Sequence, residues 1–162
     1  MTSNTTDERS LRRLEDVQVP VRPKLSALWM SVMFLYVYVD ILALYEPGTI
    51  DDILVGRVWE FEVSQGWALG ALALMAIPSL MVFLSLALPA RVARGANVVV
   101  ASLFVFVSIG NAVGETWAFY WFGSAAEAVL LLMITWYAWT WQGVVGHASG
   151  SAPQRPASDL RR

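Results

Sequence analysis

Two carboxylic acids stand in long apolar surroundings, Asp40 within residues 25–45 and Glu127 within residues 116–141. A carboxylate is expensive to place in lipid, so such residues normally face a polar interior and mark a path for a proton, an ion or a substrate. Helical spacing gives both acids polar company. Tyr36 lies one turn before Asp40, while Tyr120 and Ser124 lie seven and three residues before Glu127. Ser108, Asn111 and Glu115 fall at i, i+3 and i+7 and align a third polar stripe. If the stripes converge, they form a pocket open to the outer side, suited to ligand or proton binding. Its candidate residues are Asp40, Glu127, Tyr36, Asn111, Glu115, Tyr120 and Ser124. The acids have an equally valid structural reading. A carboxyl bonded to a tyrosine or serine across helices holds a bundle together, at about 0.6 to 2 kcal/mol per bond. Glu115 also reads as a solvated charge at a helix end.

The elements that must position these groups are four apolar stretches, residues 25–45, 66–88, 95–114 and 116–141. A spanning helix needs about 20 such residues, and lipid offers no water to satisfy an open strand edge. The expected fold is therefore all-α, an integral membrane four-helix bundle formed by residues 25–141. Residues 1–24 read as a mobile basic segment and 142–162 as a disordered polar tail. Composition agrees. The 162-residue chain is 57% hydrophobic and 15% charged, against roughly 25% charged for soluble domains.

Charge placement sets the orientation. Residues 1–24, the 89–94 turn and the tail after Trp141 hold ten of the eleven basic side chains, and they share one side if every stretch spans. The other side has only Arg57, beside Glu46, Asp51, Asp52, Glu60, Glu62 and Glu115. The positive-inside rule then places both termini in the cytoplasm.

Several chemistries are excluded or unsupported. The chain has no cysteine, which removes disulfides, thiol redox chemistry and thiolate metal sites. Its single histidine, His147, lies in the tail, so no haem or His-rich metal site falls within the spans. There is no phosphate loop, nucleotide fingerprint or hydrolase motif, and no basic patch interleaved with aromatics for nucleic acid. No cofactor or metal is expected, and an enzymatic role is left open without being favoured.

Local features complete the picture. Trp117, Tyr120 and Trp121 begin the fourth stretch and Trp136, Tyr137, Trp139 and Trp141 end it. The clusters are about 20 residues apart, or roughly 30 Å along a helix, and read as belts at the two membrane interfaces. Pro78 interrupts the second stretch and should kink it. Gly66-x-x-x-Gly70 and Gly110-x-x-x-Gly114 permit close helix packing within the chain, with dimerisation as the alternative. The outer loop, residues 46–65, turns at Glu46-Pro47-Gly48. Thr49-Ile50-Asp51-Asp52 then reads as a capping-box variant opening a short helix through Val55. Residues 57–63 alternate, placing Trp59, Phe61 and Val63 against membrane or bundle and Glu60 and Glu62 toward water. Such a loop could serve as a lid.

The segments Leu25-Ser-Ala-Leu-Trp29, Tyr36-Val-Tyr-Val-Asp-Ile41, Tyr45-Glu-Pro-Gly48, Met75-Ala-Ile-Pro-Ser-Leu-Met81 and Trp136-Tyr-Ala-Trp139 resemble an uncharacterised family of small bacterial four-span membrane proteins. The resemblance covers residues 24–141 and implies a four-helix bundle in the bacterial cytoplasmic (inner) membrane. It supplies no activity and no catalytic residue. The layout is also loosely similar to that of DoxX-like proteins. Small multidrug transporters are a poorer comparison, because they look shorter in their loops and place their essential acid within the first span, whereas Asp40 lies near that span's outer end.

Two functional readings remain. In the first, the pocket carboxylates couple proton exchange to binding or transport of a small ligand. In the second, the chain is a non-catalytic scaffold or accessory subunit of a membrane complex. Expected partners are the lipid bilayer and either a second copy or another membrane protein, with no nucleic acid.

Overall fold

The computed structural model describes residues 18–58 and 61–141. Four helices of 23 residues each, α1 (Val21–Ala43), α3 (Gln65–Ala87), α4 (Ala90–Ala112) and α5 (Ala118–Thr140), are long and apolar enough to cross a membrane. Between α1 and α3 lie a short helix, α2 (Thr49–Leu54), and two short strands, β1 (Arg57–Val58) and β2 (Phe61–Glu62). The fold is an all-α bundle of four membrane helices. Trp59, Glu60, residues 1–17 and the 142–162 tail lie outside the described residues.

The helix boundaries differ from the apolar stretches for local reasons. Helix α4 starts five residues before the apolar run, so it includes Arg91 and Arg94. Leu88 is extended (ψ 152°), as steric conflict with a following proline favours, and this ends α3; Pro89 then caps α4. Helix α3 runs unbroken through Pro78. At its start the Ser64 hydroxyl caps the chain by accepting from the Trp67 N–H at 3.1 Å.

Buried positions recur at steps of three and four. They are Leu25, Trp29, Val32, Tyr36 and Val39 on α1, and Ala93, Asn97, Ala101, Phe104, Ser108 and Ala112 on α4. Helix α5 repeats the pattern with Tyr120, Ser124, Glu127, Leu131, Ile134 and Ala138. Such stripes suit lengthwise packing. Helix α1 packs on both α3 and α5, and α5 packs on α4. The core centres on Trp29, whose ring meets that of Phe104 edge-on at 6.4 Å. Because lipid is as apolar as leucine, close packing and interhelical hydrogen bonds hold such a bundle.

The close contact is made by a glycine outside either glycine pair. A Cβ on Gly123 of α5 would overlap Val39 Cγ2 of α1. At Gly70 and Gly110 a Cβ would meet nothing within 4 Å, and at Gly66 only Ser64 Oγ at 3.8 Å. Gly114 has φ +95° and forms the turn into α5. The expectation that these pairs serve packing within the chain is thus corrected, since they face away from the other helices.

The loop also differs from its sequence reading. Gly48, at φ +94°, is the N-cap of α2, and Thr49 is its first helical residue, so no capping box forms. The alternating segment folds as an antiparallel pair with Arg57 opposite Glu62 and Val58 opposite Phe61. Phe61 and Val63 are exposed.

Candidate functional site

Three polar side chains from three helices meet inside the bundle. Ser108 Oγ of α4 donates to Glu127 Oε2 of α5 at 3.0 Å. Tyr36 OH of α1 lies 3.1 Å from the same Ser108 Oγ. Ser108 has one proton, already given to Glu127, so Tyr36 is the donor in its pair. The result is a directed chain, Tyr36 to Ser108 to Glu127. Its members are 4%, 1% and 2% exposed, so the carboxyl takes this bond inside the bundle and is shut off from the surroundings. The placement follows from the stripes, because all three residues occupy inward positions of their helices.

Asp40 does not join them. On α1 the step from Tyr36 along the inner stripe is three residues, to Val39, and Asp40 turns out of the interior and is exposed. It remains within electrostatic reach of Glu127 and Tyr36. Tyr120 and Ser124 are buried on α5, two turns and one turn before Glu127. Tyr120 lies within electrostatic reach of Glu115, Asp40, Glu127 and Glu46. Asn111 is half-buried and outside the triad. Glu115, in the α4–α5 connection, is half-buried as well. Burial, and secondly the charge of Glu46, push its carboxyl above the usual value of 4.5.

Neither of two surface grooves reaches the acids. One, of about 510 Å3, runs along α5 and is lined by Val129, Leu132, Met133, Thr135, Trp136 and Trp139. The other, of about 410 Å3, lies between α1 and α3 around Ser26, Met30, Phe34 and Leu86. Both open on the outer surface of the bundle. Among the described residues, no group of three or more His, Asp or Glu side chains is placed to hold a metal ion.

The model of a family of unknown function, DUF6326, matches residues 17–146 and so covers all four membrane helices. This chain belongs to that family. It is a multi-pass membrane protein. No curated protein and no solved structure matches it.

A second buried polar cluster went unread in the sequence. Trp29 Nε1 of α1 donates to Asn97 Oδ1 of α4 at 2.7 Å, and Asn97 Nδ2 donates to Ala93 O at 2.8 Å. Ser85 Oγ of α3 lies 3.1 Å from the same Asn97 oxygen and 2.7 Å from Met81 O. Trp29, Ser85 and Asn97 are fully buried. One signal was available: Asn97 precedes Ser108 by 11 residues, three helical turns, and therefore shares its face. The helix ends nearest the chain termini are tied separately. Arg22 Nη1 donates to Leu86 O at 3.0 Å and Arg94 Nη2 to Trp139 O at 2.8 Å, satisfying carbonyls that the last helical turns leave open. Arg22 also stacks over Trp141, and Lys24 over Tyr137, each at 5.6 Å.

Proposed function

We propose that this protein is a non-catalytic four-helix scaffold or accessory subunit of a membrane assembly. We place it in the bacterial cytoplasmic membrane with both termini inside. The observation that carries this reading is the enclosure of Glu127. Its carboxyl is 2% exposed and takes a hydrogen bond from Ser108, and neither groove opens onto it. An acid held this way joins helices rather than meeting a ligand. The least buried span offers a surface for a partner, because three residues of α3 are buried against six each on α1 and α4 and seven on α5. Orientation rests on the basic residues of the flanks and of the α3–α4 turn.

A second reading, proton-linked binding or transport of a small cationic ligand, is favoured by one feature. Asp40 is exposed within electrostatic reach of Glu127, and so could pass protons between the surroundings and the buried triad.

Melting the purified protein in lipid nanodiscs separates the two. On the scaffold reading, Glu127→Gln and Asp40→Asn change the melting temperature, and no small cation or amine shifts it at any pH. A ligand shift that depends on pH and disappears in Glu127→Gln would establish the second reading instead.

A further inference from the structure

The segment between α1 and α3 has an apolar face that the bundle does not cover. In α2, Ile50, Ile53 and Leu54 fall at i, i+3 and i+4 on one side, and Asp51 and Asp52 on the other. None of the six residues is buried, and Leu54 is 78% exposed. Val55, Phe61 and Val63 extend the exposed apolar surface, while Glu62 adds an acid. Helix α2 packs chiefly on β1, and the Val63 N–H closes the unit onto Gly56 O at 2.8 Å.

Such a unit is too small to hold itself. A helix shorter than about 12 residues is marginal in water, and a two-stranded hairpin is marginal as well. An outside surface must therefore shelter the apolar side. Chain continuity says which one. Five residues, 44–48, separate α2 from the end of α1, and Val63 and Ser64 join β2 to α3, so the unit is pinned where two spans leave the membrane. Tyr45, Trp117 and Trp121 are exposed near the same helix ends, as aromatic side chains are at a bilayer interface.

We propose that α2 and its hairpin lie on the bilayer surface as an interfacial foot, with Ile50, Ile53 and Leu54 among the lipid headgroups and Asp51 and Asp52 toward water. This replaces the lid: the loop rests beside the helices on lipid rather than over a pocket.

The absence of cysteine makes the test direct. The full chain carrying Leu54→Cys or Asp52→Cys, each with one environment-sensitive fluorophore, is reconstituted in phosphatidylcholine vesicles. Lipids bearing a shallow spin label should quench the probe at 54 several-fold more strongly than the probe at 52, with aqueous iodide showing the reverse order. Equal access of iodide to both positions would overturn the proposal. So would a probe at 54 that neither quencher reaches, since protein would then cover that face.

Discussion

Ser108 is the residue on which the buried chain depends, because it accepts from Tyr36 and donates to Glu127. Replacing Ser108 by Ala leaves a buried carboxyl and a buried phenol without their partner, a loss of about 1–3 kcal/mol. Tyr36→Phe removes only one donor and should cost about 0.6–1.7 kcal/mol. Since both changes break the same bond, the double variant should cost less than the sum of the two, which a double-mutant cycle of melting curves reads. Glu115 makes a separate pH prediction. Its carboxyl is raised in the fold, first by burial and then by Glu46. Its proton therefore favours the folded state: the contribution is full below the ordinary value of 4.5 and is lost as pH rises through the folded value. Glu115→Gln should raise the melting temperature at neutral pH and flatten the slope above pH 4.5, as thermal melts across that range will show.

Among the elements, α1 and α5 come into tight contact where Gly123 meets Val39. Gly123→Ala should force the two helices apart and cost about 1–3 kcal/mol, as overpacking does. Trimming the facing side chain with Val39→Ala should restore much of the loss. Gly70→Ala is the opposite case. With nothing within 4 Å of the new Cβ, the gain in helix propensity should leave stability unchanged or raise it by up to about 1 kcal/mol. Melting both variants side by side checks the sign. Equal losses would mean that Gly70 contacts another copy, which is the dimer alternative for this glycine pair.

For the whole molecule, Asn97 joins three of the four spans. Its amide oxygen receives the Trp29 N–H from α1 and lies beside the Ser85 hydroxyl of α3. Leucine at this position would fit lipid-like packing but strand the Trp29 donor, at about 1–3 kcal/mol. Adding Trp29→Phe should restore part of the loss, because replacing both partners by apolar groups of similar shape can be nearly neutral. Denaturation of the single and double variants measures this. At the ends nearest the termini, Arg22 and Arg94 bond the last carbonyls of α3 and α5. The basic residues that suggest an orientation thus also help to close the bundle.

Residue order alone was enough for the four spans and their all-α state, because lipid leaves a long apolar segment only one way to satisfy its backbone. The same pattern made Tyr36, Ser108 and Glu127 visible as polar members of helical stripes. Which of those stripes turned inward was settled by packing between helices. Val39 rather than Asp40 takes the inner position on α1, so the two acids end up in different surroundings. The spacing of Gly66 and Gly70 looked suited to contact, yet among the described glycines Gly123 makes it, where Val39 faces α5. Asn97 carried a spacing clue, but its partners Trp29 and Ser85 are 68 and 12 residues away. A periodic pattern assigns a residue to a face of its own helix. Only the assembled bundle decides what that face meets.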